Sequence, residues 1–88
     1  MFFVTELRQL DLQRNTIMGV IPPEIGQLTN LLYLNLKDNE YLSGTLPVSQ
    51  LANLTKLNRL SLVHCGFVDT QESVRQLQIH LPRCKIWI

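Results

Sequence analysis

The chain has 88 residues, 45% of them hydrophobic, with eight basic residues against seven acidic ones and a formal net charge of +1. That length holds at most one domain, and a chain this short closes only a thin core unless its architecture is local and repetitive. Balanced charge recommends neither nucleic acid nor an anionic membrane as partner. No apolar run reaches the length of a membrane span, and the opening MFFVTE lacks the basic start and apolar core of a secretory signal.

In chain order, MFFVTEL at the start aligns with IGQLTNL at 25–31, which places Met1 at Ile25 and Val4 at Leu28. Residues 1–6 therefore read as the close of a unit whose strand is missing. Upstream repeats, folding of Met1, Phe2 and Phe3 over the first coil, or self-association through this edge would each cover it. From Leu7 onward the chain repeats itself. Leu7, Leu31, Leu57 and Leu81 form one column, Leu10, Leu34, Leu60 and Cys84 the next, and Leu12, Leu36, Leu62 and Ile86 a third, at intervals of 24, 26 and 24. Asn15, Asn39 and Cys65 follow in a fourth column. The units are 7–30, 31–56 and 57–80, with a terminal half-unit at 81–88, all within one domain spanning 1–88. The second unit is longer by one residue near Glu40 and one after Pro47, and the first of these predicts a bulge at Glu40 and Tyr41.

Alternation at Leu10 and Leu12 sends both side chains to one face of a short strand, while Leu7, Ile17, Ile21, Ile25 and Leu28 reach the same interior from the turns and the return path. One unit cannot cover that face alone, but stacked units bury it, with parallel strands near 9–13, 33–37, 59–63 and 84–87 joined by long crossovers. The period and the skeleton LxxLxLxxNxL resemble the leucine-rich repeat. LQRNTIMGVIPPEIGQLTNL and LKDNEYLSGTLPVSQLANLTKL are similar, more narrowly, to its plant-type, receptor-like subfamily, marked by LxGxIPxxIGxL. The resemblance covers residues 7–57 and implies an α/β solenoid with an irregular convex side.

The third unit departs from that pattern, since GFVDTQESVRQLQIHLPRCKIWI has no Gly-x-Ile-Pro. Asp69 with Glu72 three residues later spells a capping box, and Val74, Leu77 and Leu81 fall at helical spacing, so a helix is predicted near 71–80. With LPRCKIWI as a fourth strand, that helix would cover the end of the stack, and Ile88 would close the array.

By the same resemblance, Asn15 and Asn39 point inward and hydrogen-bond turn backbone of their own coil and its neighbour, with Cys65 in the same structural ladder. His64, Cys65, His80 and Cys84 supply enough ligands for zinc by count alone. Their columns lie too far apart for tetrahedral ligation or for a Cys65–Cys84 disulfide, so the reading is two buried thiols and no metal. No nucleophile–base pairing or phosphate loop appears, which points to neither catalytic residues nor a cofactor. Asn53-Leu-Thr55 is a glycosylation sequon, although the repeat consensus tends to spell it.

Outward strand positions form rows about 4.8 Å apart across the concave sheet. They read Gln9, Tyr33, Arg59, Arg83; Asp11, Asn35, Ser61, Lys85; Gln13, Lys37, Val63, Trp87; and Arg14, Asp38, His64, Ile88. The last row predicts an ion-pair ladder. Tyr33, Asn35, Lys37, Arg59, Ser61, Val63, Lys85 and Trp87 are the candidate partner-binding residues, with the aromatic and arginine content of a binding surface. The expected function is a module that binds a protein or peptide through this face. The alternative is a purely structural C-terminal cap of a longer array whose other repeats bind. The resemblance further implies a secreted or cell-surface parent.

Overall fold

A computed structural model of the chain describes residues 6–88, so the expectation for Met1, Phe2 and Phe3 lies outside the described residues. Four three-residue strands, β1 (Gln9–Asp11), β2 (Tyr33–Asn35), β3 (Arg59–Ser61) and β4 (Lys85–Trp87), pair in parallel in chain order. The first three stop two residues short of the spans that alternation predicts. Arg14, Asp38 and His64 turn left-handed just beyond them, at φ 58°, 62° and 57°. The ladder nevertheless runs on past each strand: Leu12 N donates to Asn35 O, Leu36 N to Ser61 O and Leu62 N to Trp87 O, at 2.9, 2.9 and 2.8 Å.

The core is a stack of leucines. Leu31, Leu34, Leu51, Leu54, Leu60 and Leu77 are 0% exposed, whereas Leu10, Leu12, Ile17 and Ile25 of the first coil are only partly buried. Each buried leucine contributes on the order of 1.5–3 kcal/mol of transfer free energy, so the interior columns hold the coils together. The return path is less irregular than the resemblance implies, and it becomes more helical from coil to coil. The first coil has a 3-10 turn, Pro23–Gln27. The second, with its extra residue after Pro47, has one α turn, α1 (Val48–Leu51). The third has an eleven-residue helix, α2 (Thr70–His80). α1 packs against the 3-10 turn on one side and against α2 on the other.

Two expectations for the last coil are corrected. Leu60 pairs with Ile86, not Cys84, and Arg59 pairs with Lys85. A slip of two residues leaves every side chain on its own face, so alternation alone does not select between these registers. The turn before the strand selects it. Leu31 N donates to Leu28 O, Leu57 N to Leu54 O and Cys84 N to Leu81 O, at 3.0, 2.9 and 3.1 Å, so LPRC repeats LTNL and LTKL. Cys84 accordingly takes the place of Leu57, and Ile86 enters the column of Leu34 and Leu60.

The second correction concerns Asp69. It precedes α2 with φ 52° and ψ 36°, and its side chain makes no capping hydrogen bond. The residue belongs instead to a thin second ladder beside the sheet. Ser43 N donates to Gly19 O and Val68 N to Gly44 O, at 2.8 and 2.9 Å, and the glycines have φ 83° and 73°. Asp69 stands 25 residues after Gly44, as Gly44 stands 25 after Gly19. It is thus the third left-handed residue of this column, and aspartate tolerates that conformation better than most side chains. Glu72, the other half of the predicted box, bonds Arg75 and Gln76.

The predicted bulge at Glu40 and Tyr41 is present as a turn. Tyr41 is 59% exposed, and its carbonyl accepts from Gly19 N at 3.2 Å. On the other side the carbonyls of Glu40 and Leu42 press so close to Gly66 that a Cβ there would collide with both.

Candidate interaction face

The structure arranges the outward rows as Gln9, Tyr33, Arg59, Lys85 and Asp11, Asn35, Ser61, Trp87. Trp87 therefore stands beside Ser61 rather than Val63, and Lys85 beside Arg59 rather than Ser61. The register thus sets Lys85 beside Arg59, where the sequence rows put Arg83. The repeated LxxL turn was the signal that could have found it.

The candidate residues differ in what they offer a partner. Arg59 and Lys85 are exposed and Trp87 is 45% exposed, while Tyr33, Lys37 and Val63 are half-buried. Asn35 and Ser61, at 5% and 9%, are covered by their neighbours. Asn35 Oδ1 accepts from Lys37 N at 3.0 Å, as Asp11 Oδ1 one coil earlier accepts from Gln13 N at 3.2 Å. These two side chains tie down the strand exits. Tyr33, Lys37, Arg59 and Trp87, with Asp11, line a shallow hollow of about 380 Å³ on the sheet. A wider depression of about 700 Å³ opens at the start of α2, between Phe67 and the Glu72–Arg75 pair. It has no comparable set of ring and cationic side chains.

Along the rim, Asp38 gathers the residues of its row. His64 Nδ1 lies 2.9 Å from Asp38 Oδ1, and Arg14 Nε lies 3.7 Å from Asp38 Oδ2. The His64 hydrogen bond, reinforced by the charges of Lys37 and Arg14, holds the Asp38 carboxyl below its usual range against a smaller opposing effect of burial. Arg14 and His64 are exposed and Asp38 is half-buried, so the ladder positions the rim more than it stabilises the fold.

Beneath the face runs the amide ladder. Asn39 Nδ2 donates to Leu36 O at 2.9 Å within its coil and to Leu12 O at 2.8 Å in the preceding one, and Asn15 Nδ2 donates to the same Leu12 O at 2.8 Å. The Cys65 thiol donates to Leu36 O at 2.9 Å. Burial pushes the Cys65 thiol up and the Cys84 thiol to about 11, so both are held as thiols, and both cysteines are free. Among the described residues, no group of three His, Cys, Asp or Glu side chains could hold a metal ion, and no helix is long and apolar enough to cross a membrane.

Comparison with known proteins agrees with this geometry. The family model described as Leucine Rich Repeat matches residues 6–28. A solved leucine-rich repeat protein of Leptospira interrogans superposes with a TM-score of 0.56 at 26% identity, over 94% of this chain and 26% of that one. Receptor-like protein 1 of Arabidopsis thaliana is 50% identical over 38 residues, which are 42% of this chain and 4% of that protein. This chain spans a small part of each relative's length. Parallel strands stacked in chain order over an amide ladder define a leucine-rich repeat solenoid. The family model matches one repeat of this chain, and the repeats are similar to those of the plant receptor-like type.

Proposed function

We propose that the chain is a protein-interaction module that takes an extended peptide or protein segment across its concave sheet, with Tyr33, Lys37, Arg59, Val63, Lys85 and Trp87 as the contact surface. Leucine-rich repeat domains commonly serve as protein-interaction modules and are typically non-enzymatic. The observation that carries the reading is the exposed Trp87 on the same sheet face as Tyr33 and Arg59, around one hollow. Aromatic and arginine side chains dominate binding energy where they share a surface, because each buries a large area at small entropic cost. Inward columns are fixed by packing, which leaves the outward strand positions free to carry specificity.

A test is panning of random twelve-residue peptides against the chain, followed by Tyr33→Ala and Trp87→Ala. Each substitution is expected to weaken captured peptides at least about tenfold while leaving the melting temperature nearly unchanged. Parallel loss of capture and melting temperature would favour a second, structural reading in which the segment caps a longer array. That reading is supported by α2, whose fully buried Leu77 closes the last coil.

A further inference from the structure

Arg59 and Lys85 are register partners on β3 and β4, and both are exposed. Like charges directly opposite one another weaken a sheet, and such pairs are normally relieved by a neighbouring carboxylate. Among the described residues, no carboxylate forms an ion pair with either side chain. The ion pairs among the described residues are Arg14–Asp38, His64–Asp38 and Arg75–Glu72, and all lie off these rows. The carboxylate nearest in kind, Asp11, stands on β1, two strands before β3, and is engaged by Gln13. Lys37, half-buried two rows further along, makes no ion pair within 4 Å among the described residues, although its charge acts on the adjacent Asp38.

We propose that Arg59 and Lys85, flanked by Tyr33 and Trp87, form a subsite for the side-chain carboxylate of an acidic residue in the bound peptide. This deepens the concave-face reading and rests on it. A guanidinium presents two parallel N–H groups to a carboxylate, and the ammonium beside it supplies further donors. Both aromatic rings offer apolar walls for the residues on either side of the acid. A continuous polyanion fits less well, because Asp11 on the same face repels it and the chain carries a net charge of only +1.

The spacing sets a polarity for the ligand. From β1 to the middle of β3 and β4 is about 12 Å at the usual interstrand distance, or about three to four residues of an extended peptide. An acid over Arg59 and Lys85 therefore places a residue three or four positions away above Asp11, where a basic or hydrogen-bond-donating side chain is favoured.

The experiment uses the peptides selected by panning, resynthesised with blocked ends so that only side chains carry charge. Fluorescence anisotropy of the dye-labelled peptide reports binding, so that variants lacking Trp87, the sole tryptophan, are read on the same scale. We expect selected peptides to be enriched in Asp or Glu. Replacing that residue by its amide should weaken binding about tenfold or more, and Arg59→Gln or Lys85→Gln should weaken the acidic peptide similarly but not its amide form. Arg75→Gln, on α2, should leave binding unchanged. Peptides that need Trp87 yet are indifferent to the acid and to Arg59 would overturn the subsite while leaving the concave-face reading standing. Binding insensitive to Trp87, Tyr33 and Arg59 alike, or no peptide captured, would overturn both. A heparin oligosaccharide binding as tightly, with the same dependence on Arg59 and Lys85, would overturn the peptide assignment.

Discussion

Asn39 donates one side-chain amide to Leu12 O across the coil boundary and to Leu36 O within its own coil, while its own oxygen, buried, finds no partner among the described residues. The position therefore needs a donor, not an acceptor. Asn39→Asp keeps the shape but removes the donor and buries a charge, and should cost more than Asn39→Ala, for which about 2–4 kcal/mol is expected from stranded carbonyls. Asn39→Cys should be the mildest of the three, since the Cys65 thiol already shows that a lone donor serves. Urea unfolding would rank them; equal costs for Asp and Cys would show that the amide ladder does not act through its donor.

Asp69 and Gly44 share one left-handed column, so the two readings of Asp69 predict opposite signs. A left-handed turn gains from Asp69→Gly and loses about 1–2 kcal/mol with Asp69→Ala, whereas a capping side chain would make both substitutions destabilising. Thermal melts of the two variants decide the matter. Glycine more stable than wild type supports the column, and glycine less stable by about 1 kcal/mol would restore the cap.

Gly66 lies against the carbonyls of the bulge one coil earlier, and Gly19 faces open space at a positive φ. Gly66→Ala must displace backbone and should destabilise by several kcal/mol, against about 1–2 kcal/mol for Gly19→Ala, which meets only the conformational penalty. Deleting Glu40 should rescue Gly66→Ala in part. Its failure to do so in a double-mutant cycle would show that the bulge is not what excludes a side chain.

Asp38 has a depressed folded-state pKa. Its contribution is therefore present above the ordinary carboxylate range and is lost as pH falls through the lower, folded value. Glu72, lowered by its hydrogen bonds to Arg75 and Gln76, behaves alike. Stability should thus decline in acid below about pH 4, and the double variant Asp38→Asn, Glu72→Gln should flatten that decline slightly, because Glu72 is exposed and Asp38, only half-buried, pairs with exposed side chains. An unchanged slope would show that other carboxylates set the acid limb.

The buried Cys84 thiol, 4% exposed with its pKa at about 11, should resist iodoacetamide at pH 8 in the native state, while the half-buried Cys65 is modified faster. Mass spectrometry of the alkylated peptides separates the two. Faster labelling of Cys84 would mean that the last coil opens locally.

The repeat, the parallel sheet and α2 were legible because each rests on periodicity, which packing enforces residue by residue. The bulge at Glu40 and Tyr41 was legible as an insertion in an otherwise fixed period. What the letters hid was the two-residue register of β4: Cys84 and Ile86 are both apolar and both face inward, so only the turn hydrogen bonds distinguish them. Asp69 misled for a related reason. Asp-x-x-Glu before an apolar run spells a cap, but the backbone of the preceding coil had already claimed that position for a left-handed residue. Candidate face residues could be placed in rows, yet the burial of Asn35 and Ser61 depends on neighbours across strands and is not written in any one unit.

On the proposed function, a partner lies on the concave sheet. Amide chemical-shift mapping of the chain with a selected peptide tests it most directly. The largest shifts should cluster at Tyr33, Lys37, Arg59, Val63, Lys85 and Trp87, with little change along α2. Shifts concentrated at Phe67, Thr70 and Arg75, with the sheet undisturbed, would contradict it.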